Sequence, residues 1–191
     1  MLTHYIDLQI AQGTGAPCTP VMARMFGLVH AIAQRQAVVV ACAFPTMHMG
    51  RGCHPGNQLR LFALTRDVVD QVADELEAHP FTRDYIRMKR VRPVPDNFTG
   101  AWTEYRRYRI PGRGSRLTES RARRIEAGNA LPFLHSNSKS NGQAFSIRVL
   151  AISHAQMTHA QVLDNPAGIA PDSYGLSLPT RPFAVPNLPV I

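Results

Sequence analysis

The most constraining feature of this sequence is the order in which its hydrophobic period changes along residues 2–91. LTHYIDLQI at 2–10 alternates, with Leu2, His4, Ile6, Leu8 and Ile10 on one face and Thr3, Tyr5, Asp7 and Gln9 on the other. That is the pattern of a strand with one buried face. After a loop from Gly13, Thr19-Pro20 predicts an N-cap followed by proline at the first helical position. The helix then runs to about Arg35 on an apolar stripe of Met22, Phe26, Val29 and Ala33. Ala37 to Phe44 is unbroken and Val-rich, which predicts a central strand covered on both faces and ended by Pro45. Residues 46–57 form a Gly/Pro-punctuated loop, and Leu59 to Leu64 a third strand. Thr65 caps a second helix with Asp67 in its first turn and Val68, Val69, Val72 and Leu76 inside. Tyr85 to Val91 reads as a fourth strand. The order β-α-β-β-α-β is that of a ferredoxin-like domain, an antiparallel sheet with two helices on one face. The other face of such a sheet is a common RNA platform, although the aromatic stacking pair of an RNA-recognition motif is not evident here.

Pro93 and Pro95 predict a boundary between an N-terminal domain, 1–94, and a C-terminal one, 95–191. The chain is strongly basic, net +8 with a pI near 10.1, and all but two of its cations are arginines. Thirteen of the 21 Lys and Arg fall between Arg83 and Arg124, against four acids, Asp84, Asp96, Glu104 and Glu119. Such clustering points to a polyanion, and arginine suits bidentate phosphate and guanine contacts. TEYRRYRI at 103–110 reads as a strand, with Arg107 and Arg109 on one face and Arg106 and Tyr108 on the other. A basic loop, Pro111-Gly-Arg113-Gly, follows. Ser115 then caps a helix ending at Gly128. Arg116, Ser120, Arg123 and Arg124 lie to one side of it, with Leu117 and Ile125 marking the core side. An arginine-lined helix of this width can enter the deep major groove of an RNA duplex and contact its phosphates. The C-terminal domain is therefore expected to be a basic α+β unit with an arginine-rich helix.

Leu131 to Leu134 is an apolar strand, followed by the wholly polar stretch His135 to Asn141 with a single cation, Lys139. Phe145, Ile147 and Val149 then return at period two. A loop of hydroxyls and amides between two strands suits an anionic ligand such as phosphate, or is simply a solvated turn. His30 lies four residues after Phe26, beside the apolar stripe, which predicts a half-buried ring with its tip near the domain edge. Cys42, His48, Cys53 and His54 fall within one short span, but their spacing is irregular for zinc. No acidic cluster of the kind magnesium nucleases use is visible. Neither a metal nor another cofactor is therefore expected. His154 and His159 read as incidental. Tyr174-Gly175 sits in a turn, and Pro182, Pro186 and Pro189 make the tail an edge or a packed extended segment. No transmembrane run or secretion signal is seen, and three cysteines make no disulfide framework, so a cytoplasmic, reduced location is expected.

Six separated segments resemble the type I-F CRISPR repeat-processing endoribonucleases, the Csy family. They are His4-Tyr-Ile-Asp7; Leu28-Val-His30; Val39 to Pro45; Tyr105-Arg-Arg-Tyr-Arg109; Leu131-Pro-Phe133 with Ser138-Lys-Ser140 and Gly142-Gln-Ala-Phe145; and Tyr174-Gly-Leu-Ser177. The resemblance implies a metal-independent RNase that binds a CRISPR repeat hairpin, cuts at its 3′ base and stays bound to the crRNA as a subunit of the interference complex. It implies His30, Ser138 and Tyr174 as catalytic residues, with Ser140 beside them and Phe145 stacking on the terminal base pair. The family's base-reading Arg-x-Gln is matched by Arg107-Tyr108-Arg109, with Arg in place of Gln. The expected RNA-binding set is Arg107, Arg109, Arg113, Arg116, Arg121, Arg123, Arg124, Lys139, Ser140, Gln143 and Phe145, and Lys139 is a candidate to oppose developing charge. Two other readings stay open: a non-catalytic protein that binds or caps an RNA hairpin, and a small metal-binding protein.

Overall fold

Alternating residues at the N-terminus become β1 (His4–Ile10), a central strand of the first sheet. This computed structural model describes residues 2–110, 118–137, 144–154 and 169–190. After β1 come α1 (Cys18–Arg35), β2 (Ala41–Ala43), β3 (Gln58–Ala63), α2 (Arg66–Ala78), α3 (Pro80–Tyr85), β4 (Ile86–Met88) and β5 (Arg92–Pro93). The sheet order is β2-β3-β1-β4, with β5 also beside β1, and every pair is antiparallel. That is the ferredoxin-like order expected from the hydrophobic periods. The stripe of α1 is buried as expected, and Thr65 accepts the Val68 N–H at the start of α2.

Several boundaries differ, each for a local reason. Helix α1 starts at Cys18, not after Thr19. Pro17 is its N-cap, without a side-chain bond, and Pro20 sits in the first turn, where no amide donor is needed. The Val-rich run is not a central strand but leads into β2 at the sheet edge. Its first residues terminate α1. Ala37 takes a left-handed conformation (φ 53°) while the Ala37 and Val38 amides donate to Gln34 and Ala33 carbonyls. This is a Schellman ending with alanine where glycine is usual. The fourth strand begins only at Ile86. His79 accepts the Phe81 amide and Pro80 opens the one-and-a-half-turn helix α3 instead.

The second half repeats the topology of the first, which its sequence did not suggest. Strand β6 (Trp102–Tyr108) leads to α4 (Glu119–Asn129), β7 (Phe133–Asn137), β8 (Ala144–His154) and finally β9 (Val185–Pro186). Its sheet order, β7-β8-β6-β9, is the antiparallel order of the first sheet again. The proline-dotted tail thus supplies an edge strand, as expected. Helix α4 begins at Glu119, because Thr118 accepts the Arg121 amide; Ser115 and Leu117 lie outside the described residues. Strand β7 runs on through the polar residues to Asn137, because the β8 register (Leu134 opposite Ile147, Asn137 opposite Ala144) continues that far.

The face of the first sheet opposite its helices is not an open platform. Tyr5, Asp7, Ala41, Ala43, Gln58, Arg60 and Phe62 on that face are all buried. Arg60 is 1% exposed, donates two hydrogen bonds to the Asp7 carboxylate at 2.6 and 2.9 Å, and donates to the Leu188 and Pro189 carbonyls. A buried pair of this kind needs such hydrogen bonds to offset the loss of water around both charges. It ties the C-terminal tail to the first sheet beside a cavity of about 310 Å³ lined also by Tyr105, Val185 and Leu188. A second staple sits on β6. Burial would raise the Glu104 carboxyl, but Arg106, Ser177 and the nearby His154 outweigh it and hold it below the ordinary carboxylate range.

The Ala37 conformation gives a direct stability test. Ala37→Gly relieves the Cβ penalty of the left-handed region and is expected to raise the unfolding free energy by about 0.5–1 kcal/mol. Urea titration reads this as a higher midpoint at unchanged slope; a lower midpoint contradicts the assignment of the helix end.

Candidate active site

Two elements far apart in sequence build the site: α1 and the turn from Asp172 to Ser177. The sequence Pro-Asp-Ser-Tyr-Gly is made for such a turn, with aspartate opening it and glycine three residues on. Asp172 Oδ1 accepts the Tyr174 and Leu176 amides at 2.9 and 3.0 Å, while its own amide and carbonyl pair with Leu176 and Gly175. The turn then closes the open edge of β2. The Cys42 amide donates to the Gly175 carbonyl at 2.8 Å. Gly175 has φ +77°, and a Cβ there would stand 2.8 Å from Cys42 Sγ and 2.9 Å from the Val40 carbonyl. On its other side the turn is stitched to β6, with Ser177 N–H to Tyr105 O and Arg107 N–H to Ser177 O. Burial pushes the Cys42 thiol strongly up, and the Asp172 carboxylate adds to it.

This turn brings His30 and Tyr174 together. Their rings stack with centroids 4.0 Å apart and planes 19° from parallel. Phe26, one helical turn earlier on α1, stacks on the same tyrosine at 5.8 Å, and Phe145 meets it edge-on at 6.3 Å. The Arg107 guanidinium lies over the ring at 5.1 Å and pairs with Asp172 Oδ2 at 3.2 Å. His30 is half-buried, as its place beside the stripe predicted, and its Nδ1 bonds the Ser173 carbonyl. A carbonyl can only accept, so in neutral His30 the proton is on Nδ1 and the Nε2 lone pair is left for chemistry.

Four of the expected site residues, His30, Tyr174, Phe145 and Arg107, therefore form one cluster. Ser138, Lys139, Ser140 and Gln143 lie outside the described residues, as do Arg113 and Arg116. The strand ends that flank residues 138–143 are Asn137 and Ala144, and Ala144 immediately precedes Phe145. Arg109 stands apart from Arg107: it is exposed beyond the end of β6, and its carbonyl accepts from Arg124 at 3.4 Å. Arg123 and Arg124 are exposed on α4, while Arg121 is half-buried. The Arg123–Glu119 pair is solvated on both sides and contributes little to stability. Only the end of α4 is seated, with Gly128 against Tyr108 and Ile110 and its carbonyl taking a bond from Arg148. Tyr108 Oη donates to the Arg124 carbonyl. Strand β6 thus carries Arg107 toward Tyr174 on one face and holds the arginine helix with Tyr108 on the other.

Sequence reasoning missed Asp172, whose Asp-x-x-Gly turn signal was present, and the role of Phe26 beyond the core. Among the described residues, no three His, Cys, Asp or Glu side chains are grouped to hold a metal ion. Cys42 is buried on β2, whereas His48 and His54 stack on each other in the 46–57 loop. No helix among these residues is long and apolar enough to cross a membrane.

The family model for CRISPR-associated protein (Cas_Csy4) matches residues 5–187. The chain belongs to this family. The match spans both sheets and all of the site just described, in agreement with the resemblance carried by the six segments. A comparison with curated proteins finds no match. Two solved structures align at 12% identity over 97% of this chain and 100% of theirs. They are CRISPR endoribonuclease Cse3 bound to 19 nt RNA, at a TM-score of 0.37, and Thermus thermophilus Cse3 bound to an RNA representing a pre-cleavage complex, at 0.39. At those scores the likeness carries no argument about this chain.

The Gly175 geometry sets a prediction. Gly175→Ala forces a Cβ against fixed backbone in a left-handed conformation and is expected to cost about 2–4 kcal/mol. A urea midpoint equal to that of the unsubstituted protein would show that the turn does not seal β2.

Proposed function

We propose that the chain is a metal-independent endoribonuclease that binds the stem-loop of a CRISPR repeat and cleaves precursor crRNA at the 3′ base of the hairpin. Family membership supports the substrate class. The observation that carries the chemistry is His30, with Nδ1 held by the Ser173 carbonyl and the ring stacked on Tyr174. RNA supplies its own nucleophile, the 2′-OH beside the scissile phosphate. His30 Nε2 takes its proton, the 2′-oxygen bonds to phosphorus, and the bond to the 5′-oxygen breaks as that oxygen takes a proton from water. The products are a 2′,3′-cyclic phosphate and a 5′-OH. Ser138 holds the 2′-OH by hydrogen bonding, Tyr174 keeps the imidazole in place, and Phe145 stacks on the last base pair. Arg109, Arg113, Arg116, Arg121, Arg123 and Arg124, with Lys139, Ser140 and Gln143, hold the stem. In this reading residues 1–94 bring the histidine and residues 95–191 the grip on RNA. The protein keeps its product and serves as a subunit of the type I-F interference complex.

The test is cleavage of a labelled cognate repeat hairpin in EDTA, beside the same RNA with one 2′-deoxy at the stem foot. The first is expected to be cut and the second not. His30→Ala is expected to slow cleavage by about 10²–10⁴-fold with affinity nearly unchanged. Tight binding with no cleavage of either RNA would instead leave the non-catalytic hairpin-binding reading.

A further inference from the structure

The first sheet hides its helix-free face, but one of its edges stays open. Strands β4 and β5 share that edge, each paired with β1. Between residues 83 and 92 stand five cations, Arg83, Arg87, Lys89, Arg90 and Arg92, and one acid, Asp84. All five are exposed except Arg92, which is half-buried. Among the described residues none of these five side chains has an ion pair or a hydrogen bond. By contrast Arg35, Arg60, Arg66, Arg106, Arg107 and Arg123 each meet a carboxylate. Guarding an edge against pairing needs only an occasional charge, of either sign. Cations of one sign crowded together repel each other, a cost that a polyanion removes.

The backbone aligns these charges. Met88 stands opposite Leu8 and Arg92 opposite Tyr5, so three steps along β1 match four along the edge. The extra residue is a β-bulge. The Lys89 amide still donates to the Asp7 carbonyl at 2.9 Å, which puts the bulge at Arg90 and Val91. In a regular strand residues 87 and 92, five apart, would lie on opposite faces. With the bulge, Arg87 lies opposite Gln9 and Arg92 opposite Tyr5, on one face of the sheet. A row of cations spaced about 7 Å apart, two residues of an extended chain, is a track for the phosphates of an extended single strand.

Arg24 links this edge to the helix of the active site. It is exposed on α1, the helix of His30, and its guanidinium lies 4.5 Å from the centre of the Phe81 ring on α3, which leads into β4. In the reading above the second half grips the stem and His30 marks its foot. The RNA that meets the first half is then the unpaired strand leaving that foot. Resting on the hairpin-binding part of that reading, we propose that the bulged β4–β5 edge, with Arg83, Arg87, Lys89, Arg90 and Arg92, is a second RNA site that holds the phosphates of the single strand flanking the hairpin. Contacts of this kind add affinity without sequence preference.

The experiment measures equilibrium binding over a range of salt concentrations for the full chain and for a variant carrying Arg87→Gln, Lys89→Gln, Arg90→Gln and Arg92→Gln together. The RNAs are the cognate hairpin ending at the stem foot, the same hairpin with an oligouridine flank on its 5′ or its 3′ side, and a scrambled RNA of equal length. The unsubstituted protein is expected to bind one of the flanked hairpins about tenfold or more tighter than the bare one, with a steeper salt dependence. The fourfold variant should lose that gain, its salt slope on the flanked RNA falling by about 0.7 for each phosphate contact removed. Its affinity for the bare hairpin, and its rate of cutting it when saturated, should be unchanged. A variant with only Lys89→Gln and Arg90→Gln, both at exposed positions, should lose part of the gain, and it keeps the test valid if thermal melts show the fourfold variant misfolded. Flanks that add nothing for the unsubstituted protein would overturn the proposal and leave the edge to an acidic protein surface. Equal losses on bare and flanked hairpins would also overturn it, since the edge would then act on the stem. If the unsubstituted protein binds the scrambled RNA as tightly as the hairpin, the hairpin-binding reading itself fails, and this proposal with it.

Discussion

The hydrogen bond from the Cys42 amide to the Gly175 carbonyl is the constraint on which the site depends. Strand β2 is short and lies at the edge of its sheet, so its outward amide needs a partner. The partner comes from more than 130 residues later in the chain. Only a glycine at 175 allows the two backbones to approach so closely. Docked in this way, the turn sets Tyr174 against His30 and Phe26 and places the Ser173 carbonyl on His30 Nδ1. An edge that could have paired with another chain is used to bring side chains from both halves together.

The repeated strand order explains why both halves are needed. Each half is an antiparallel β2-β3-β1-β4 type sheet with one face that must be covered. In the first half Asp7, Arg60 and Phe62 are buried and Arg60 is bonded to the tail, which closes the surface that a lone ferredoxin-like domain would offer to RNA. In the proposed reading, recognition falls instead to β6 and α4. That helix is exposed along most of its length and is fixed at its C-terminal end, through Gly128, Tyr108 and Arg148. A helix that buries so little of itself is poor material for a core, and its Arg123 and Arg124 are exposed to solvent.

Where one periodicity dominated, the sequence was legible. Residues 4–10, the α1 stripe, the Thr65 cap and the Phe145-Ile147-Val149 alternation each follow from a single local pattern, and the structure agrees with them. Legibility failed where two signals competed. The Val-rich run looked like a buried strand, but Ala37 and Val38 were already committed to ending α1. Thr19 had the better capping side chain, yet the chain geometry at Pro17 started the helix earlier. The two-sided burial of β1 was invisible because Asp7 and Arg60 read as polar faces until they are seen paired. Of the site, His30 was placed correctly beside its stripe by spacing and Arg107 was read from the basic strand, while Tyr174 and Phe145 entered the site only through the family resemblance. Their contact is tertiary, across α1, β6, β8 and the 172–177 turn, and no local pattern encodes it. Asp172 had a local signal, the turn sequence, but nothing local revealed that its second oxygen would meet Arg107.

The docked turn fixes His30 with its proton on Nδ1 and its Nε2 lone pair free. Nitrogen NMR of the imidazole, on ¹⁵N-histidine-labelled protein without RNA and assigned by comparison with His30→Ala, tests it most directly. The neutral His30 ring is expected to carry its proton on Nδ1 and to show an unprotonated Nε2. A neutral ring protonated on Nε2 would mean that the Ser173 carbonyl does not hold it, and the proton-transfer role assigned to His30 would fail.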